Sequence, residues 1–256
     1  MNTSFGCIPP GEKLDIEFTI LVTNERSIPF MMKKEVLEDI LILNFEGGSD
    51  TFVTIHGEFL PSCVGATVDM LVNSPGPIRD NNTSVKPLRP LSIPKEVRRL
   101  VDHIYCYGLD EAGLFAESGN SSEVESIREC LDTNQPFDEV EIHSVSECLV
   151  LLLKHLAIPI FPIRLLEDCA TDGHLTTFCH QVLTRLPVPH YNLFIYLLSF
   201  LQEVLRHAEQ NKATPQQLAG VFSGALMQSK FTGIRTKLTK AQIVILHFIT
   251  SPDFVS

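Results

Sequence analysis

No two cysteines in this chain form a C-x-x-C pair, and the seven present (7, 63, 106, 130, 148, 169 and 179) are scattered and odd in number. That argues against a disulfide framework or a zinc ribbon, and it fits a reducing, cytoplasmic setting. Cys169, His174, Cys179 and His180 lie close together, but their spacing matches no standard zinc site. Buried thiols and ordinary histidines explain them more simply, so neither a metal nor a cofactor is expected. Positive charge is scarce: 20 Lys and Arg stand against 31 Asp and Glu, the formal charge is −11, and no basic stripe appears. Broad binding of nucleic acid or of anionic membranes is not expected from such a chain. Long apolar runs are missing as well, since 193–201 and 243–249 fall far short of the roughly 20 residues of a membrane span. Residues 1–7 have neither a basic n-region nor an apolar h-region, so no signal peptide is read and the sequons at Asn2, Asn82 and Asn120 are expected to be idle. No internal repeat or low-complexity tract is found.

What is present divides into two halves with different periods. Leu14, Ile16, Phe18 and Ile20 alternate with polar neighbours, as do Leu41, Leu43 and Phe45, so residues 11–65 read as β-structure. The turn at Gly47-Gly48-Ser49-Asp50 predicts a hairpin of 40–45 with 51–56, joined by four or five residues. Prolines 75, 77, 87, 90 and 94, with Asn81 and Asn82, mark an extended linker. Beyond it the spacing is helical. Pro94 opens a helix through Val97, Leu100, Val101 and Ile104. Ser144-Val-Ser-Glu147 has the spacing of a capping box before 148–156, and Thr214-Pro-Gln-Gln217 that of a cap with proline at N1. Phe194, Leu197, Leu198, Leu201, Val204 and Leu205 form a stripe that several neighbouring helices must cover. The expected organisation is a β unit at 1–72, a Pro-rich linker at 73–92 and an all-α domain at 93–256.

Residues 113–119 read Gly-Leu-Phe-Ala-Glu-Ser-Gly, which resembles the Gly-Ile-Phe-Arg-x-Ser-Gly signature of RhoGAP domains. Three further blocks agree in order: His143-Ser-Val-Ser with 149–156 and Pro159; Leu186-Pro187, His190 and 196–201; and Asn211 followed by Leu218-Ala-x-Val-Phe222. The first half, through 38–43 and 52–65, resembles the ASH domain, an immunoglobulin-like β-sandwich. ASH followed by a RhoGAP-like domain is the arrangement of type II inositol polyphosphate 5-phosphatases, so the resemblance implies a multidomain protein with an ASH sandwich ahead of an all-α RhoGAP-like domain. Residue 1 falls inside the ASH domain after its opening strand or two, which leaves the sandwich incomplete at its N-terminus, through a truncated gene model or an isoform. Nothing here resembles the family's phosphatase domain, which lies upstream of ASH.

The family's signature arginine enters the active site of a bound Rho-family GTPase; Ala116 stands at its position. The family's helix lysine falls on Val150, or on Lys154 if the register moves one turn, and its asparagine after V-F-G-P corresponds to Ser223-Gly-Ala225. The resemblance therefore implies a RhoGAP fold without the finger, with Glu117, Ser118 and Gly119 shaping the loop and with Glu117 and Lys154 as candidate contact residues. An active GTPase-activating protein is the rival reading, and would need Arg98, Arg99 or Arg128 to replace the finger. A fragment without stable function is the third. By resemblance the partners are Rab GTPases on the ASH unit, Rac or Cdc42 weakly on the helical half, and endocytic adaptors. Phe52 matches an aromatic on the ASH strand used against Rab; alternatively it faces the sandwich core. Arg98 falls where relatives carry a tryptophan for adaptor docking, and its loss argues against adaptors. Endosomal, Golgi or other trafficking membranes would then be reached only through partners.

Overall fold

The computed structural model describes residues 8–13, 15–79, 89–166, 175–228, 235–251 and 254. The N-terminal part contains helix α1 (Asn24–Met31) and strands β1 (Leu37–Leu43) and β2 (Thr51–Gly57). Then come the short α2 (Val68–Val72) and a helical array: α3 (Lys95–Tyr107), α4 (Ser121–Thr133), α5 (Ile142–Lys154), α6 (Leu175–Arg185), α7 (Val188–Arg206), α8 (Ala208–Asn211), α9 (Pro215–Met227) and α10 (Arg235–Thr250).

The hairpin forms as expected, antiparallel with Ile42 opposite Phe52 and Ile40 opposite Thr54, though its connection is longer and runs from Asn44 to Asp50. The strand expected at 14–20 does not appear. Leu14 lies outside the described residues, and 15–23 carry no regular structure, with Ile16, Phe18 and Ile20 about half exposed. An alternating pattern makes a strand only where another strand supplies the ladder, and the sheet among the described residues has two strands. It is consistent with part of an ASH unit and is not a full sandwich. Helix α1 falls within the stretch read as β-structure, and it carries Pro29 in its interior. It is held by burial of Met31, by a Phe30–Phe59 stack at 5.5 Å, and by the Ser27 hydroxyl donating to Gly65 O at 2.7 Å. Gly65 itself has φ +87°, and a Cβ there would lie 2.9 Å from Ser27 Oγ.

Residues 63–72, placed in the β unit by their sequence, pack elsewhere. Cys63, Ala66, Val68, Leu71 and Val72 are buried in the same core as α3, α5 and α7. Main-chain bonds fasten this seam: Gly65 N to His155 O and Ala157 N to Ala66 O, both 2.9 Å, and Leu91 N to Val72 O at 2.8 Å. Asp132, wholly buried on α4, accepts from Cys63 N at 2.7 Å, and Arg79 pairs with both Asp132 and Glu129. Lys95 donates to the carbonyl of Gly76. Segment 73–79 is thus held against the helices; Asn81, Asn82 and Pro87 lie outside the described residues.

In the helical half α3 starts directly after Pro94, and Val97, Leu100, Val101 and Ile104 are buried. Thr214 Oγ1 caps α9 by accepting from Gln217 N at 3.3 Å. The α7 stripe lies in the core, with Phe194 packed on Phe161 and Phe248. The capping box at 144–147 is overturned. Helix α5 begins at Ile142, with Glu141 as N-cap and no side-chain cap bond, so Ser144 sits inside the first turn. Cys179 is buried on α6 and His180 stacks on Phe254 at 4.8 Å, while Cys7, Cys169, His174, Asn2 and Asn82 lie outside the described residues.

Candidate functional site

The segment from Gly108 to Asn120, between α3 and α4, is pinned at three places. At its start, Gly113 N donates to Asn211 O at 3.0 Å. The Asn211 carboxamide, fully buried, donates to Leu109 O and Val204 O and accepts from Ala213 N, all at 2.8 Å. Every polar atom of that side chain is used, so it fixes loop, α7 and the α8–α9 corner relative to one another.

At the middle, Leu114 and Phe115 point inward; the Phe115 ring meets Phe200 and Phe222 edge-on at 6.1 and 5.2 Å. Phe115 has φ +63°, a left-handed conformation costing a residue with a Cβ about 1–2 kcal/mol. Burying the ring is worth about 1.5–3 kcal/mol and offsets it. This geometry turns the next residues outward: Ala116, Glu117 and Ser118 are exposed, their path set by Ala116 N and Glu117 N donating to Gly113 O.

At its end the loop rests on α5. Gly119 N donates to Glu147 Oε2 at 2.7 Å and Asn120 N to Ser144 Oγ at 3.0 Å. The two side chains that looked like a helix cap instead hold the loop. A Cβ on Gly119 would fall 2.3 Å from Ser144 Cα, so the approach requires glycine. Asn120 then caps α4 by accepting from Ser122 N at 2.9 Å.

Acidic groups surround the tip. His143 Nε2 lies 3.8 Å from Glu111 and 3.9 Å from Glu117, and Asp110 meets His207 at 2.7 Å. The arginines that could replace a finger are held elsewhere. Arg99 donates to Cys130 O and Gln135 O and covers the Phe137 ring at 4.9 Å; burial pulls its pKa down. Arg98 pairs with Asp102 at 3.4 Å on the outer face of α3, and Arg128 with Glu125 at 3.3 Å. Asp102 also accepts from Tyr196, whose phenol is pushed up to about 12, mainly by burial.

Of the remaining candidates, Val150 is half-buried against the core and Lys154 is exposed at the end of α5. Ala225 is buried on α9, as is Ser223, which turns its hydroxyl to Gly220 O; a Cβ at Gly224 would meet open space. Phe52 is 65% exposed on β2, away from the core. Loop, α5 and α9 come together through Phe115, Phe222, Ser144 and Glu147, whereas Phe52 and Arg98 lie on other elements. Sequence reasoning named Asn211 and Ser144 as parts of matching blocks and missed what they hold, because their partners include backbone atoms of a distant loop; His143, from the same block as Ser144, lies beside the carboxylates of Glu111 and Glu117.

The RhoGAP domain model matches residues 94–231, and the ASH domain model of inositol polyphosphate 5-phosphatase OCRL-like proteins matches residues 1–59. The type II inositol 1,4,5-trisphosphate 5-phosphatase of Mus musculus is 29% identical over 270 residues, which cover 97% of this chain and 27% of that protein. Rho GTPase-activating protein 22 of Mus musculus is 33% identical over 54% of this chain and 21% of its own length. The crystal structure of human Rho GTPase activating protein 15 superposes with a TM-score of 0.63 at 17% identity, covering 78% of this chain and 94% of that one, a likeness of fold. The chain spans about a quarter of the 5-phosphatase it matches, and the stretches outside the two matched segments are too short for a phosphatase domain. The chain belongs to the RhoGAP domain family and carries, ahead of that domain, the ASH domain of the OCRL-like inositol polyphosphate 5-phosphatases.

Proposed function

We propose that this chain is a non-catalytic binding module which docks small GTPases in signal transduction and membrane traffic. The observation that carries the reading is Ala116 at the exposed tip of a loop anchored at Asn211, Phe115 and Ser144/Glu147. An arginine finger is worth about 10³–10⁵ in rate, or roughly 4–7 kcal/mol, and a methyl group offers neither charge nor hydrogen bond. Binding needs only the shaped surface, to which exposed Glu117 and Lys154 would contribute, and that surface is supported by intact packing. Val150 and buried Ala225 replace two further polar groups of the family pattern.

Rac or Cdc42 is the partner of the helical half in this reading and a Rab GTPase that of the hairpin, through Phe52. Arg98, engaged with Asp102 and offering no aromatic anchor, speaks against adaptor docking. Association with endosomal or Golgi membranes would come through these partners; no helix among the described residues is long and apolar enough to cross a membrane. The ASH-derived unit is proposed to end at Gly57, with 59–79 belonging to the helical unit.

GTP hydrolysis by Rac and Cdc42 with this chain in excess is expected to run at the intrinsic rate; a hundredfold acceleration would establish the rival reading, an active GTPase-activating protein, which the names of the 33–34% identical relatives favour. Ala116→Arg should raise hydrolysis by at least tenfold where the remaining surface seats the GTPase. No gain would mean the contact surface has decayed along with the tip.

A further inference from the structure

We propose that a second copy of this chain pairs with the outer edge of β2, antiparallel and about a two-fold axis at Thr54, giving a four-stranded sheet with β1 at either edge. Among the described residues the sheet order is β1-β2, so one side of β2 presents unpaired N–H and C=O groups. Natural edges are usually guarded by lysine, proline, inward charges or a bulge. Strand β2 reads Thr-Phe-Val-Thr-Ile-His-Gly and carries no Lys, Arg, Asp, Glu or Pro.

The strand is also nearly palindromic in residue type. Around Thr54, Val53 balances Ile55, Phe52 balances His56 and Thr51 balances Gly57. Antiparallel self-pairing sets Val53 against the second copy's Ile55, Phe52 against its His56 and Thr54 against its Thr54. These are β-branched, aromatic and hydroxyl pairs, worth roughly 0.2–1 kcal/mol each. The β1 edge fails the same test: pairing about Ile40 sets Asp39 against Leu41 and Glu38 against Ile42. Pairing β1 with β2 of another copy is heterologous and leaves one β1 and one β2 edge that can add further copies, whereas β2 with β2 is isologous and leaves only the two acid-bearing β1 edges. The apolar face supports the same arrangement. Ile40, Ile42 and Phe52 are 58%, 50% and 65% exposed, share one face by register, and would continue into the copies' matching side chains. The formal charge of −11 opposes the approach of two copies, so salt should strengthen the association.

Sedimentation equilibrium of the full chain tests this. The mass should rise from 28.6 kDa toward twice that value across the micromolar range typical of a small interface, and rise further with salt. Val53→Lys and Ile55→Glu should each weaken self-association about tenfold. Mixed, they should associate again, because only this register sets the new ammonium of one variant opposite the new carboxylate of the other. A parent chain that stays monomeric, single variants that associate as the parent does, or a mixture that gains nothing would each overturn the proposal. Hydrogen exchange needs no variant: the outward β2 amides should gain protection with concentration. Protection already complete in a monomer would show that edge covered within one chain, and would also overturn it.

Discussion

Glu96, on the first turn of α3, has both carboxylate oxygens buried without a hydrogen-bond partner; Lys95 Nζ, 3.6 Å away, is the cation beside it. Burial, with Asp132 as a like charge nearby, raises its pKa from 4.5 to about 7, against the opposing pull of its own backbone amide and Lys95. The folded state therefore holds this proton where the unfolded chain has released it. Between pH 4.5 and about 7 stability falls as pH rises, and above pH 7 the full penalty applies, up to about 3 kcal/mol. Glu96→Gln should remove this slope: its Tm should match the parent near pH 5 and exceed it by several degrees at pH 8, as read by calorimetry. Equal gaps at both pH values would assign the burial cost elsewhere. Ala116 presents the contrasting case of an exposed residue whose identity, in the proposed reading, bears on chemistry rather than on folding. Ala116→Arg should accordingly leave Tm within about 1 °C of the parent, a surface change within roughly ±0.5 kcal/mol.

Helix α5 shows how one element can be read correctly and assigned wrongly. Its apolar spacing and its family block were plain in the sequence, while Ser144 and Glu147 satisfied a capping pattern that the fold uses for another purpose. Two oxygens at i and i+3 on one helical face can accept from that helix's own amides or from any chain laid across it, and spacing alone does not distinguish the two. Segment 15–22 went the other way: its alternation is a true strand pattern, but a strand is a relation between two chains and no partner is in place among the described residues. Helix α1 lay inside a stretch read as β, and its support from Gly65 and Phe59 depends on residues that meet it only after folding. Thr214 was readable because its acceptor and donor both lie within one turn. The Gly119 crossing of α5 gives the element-scale prediction. Gly119→Ala forces the loop off Ser144 and breaks the bonds to Ser144 and Glu147, which should lower stability by about 2–3 kcal/mol. Combined with Ala116→Arg, it should cancel any gain in GTP hydrolysis, because the loop no longer aims its tip.

Across the whole molecule, the order of a β unit followed by a helical unit was visible from the change of period, while residues 63–72, read with the β unit, have side chains buried in the core shared with the helices. Those residues look strand-like or neutral on paper and are drawn into the helical core by the buried Asp132 carboxylate and by backbone bonds to 155–157. Residues 59–256 should therefore melt cooperatively near the temperature of the full chain. Residues 73–256 should melt far lower, since burial of Val68, Leu71 and Val72 contributes about 1.5–2 kcal/mol each and Asp132 loses the amide it accepts from. Equal melting of the two truncations would return 63–72 to the β unit.

The same seam bears on how the molecule carries load. A pull applied at the amino end would meet α1 first and pass through Ser27 to Gly65, in the turn clamped against the helices, before the hairpin carried load. A partner gripping the front of the chain could thus tow the 113–119 loop without loosening it, and in the proposed reading that would suit a tether as well as a dock.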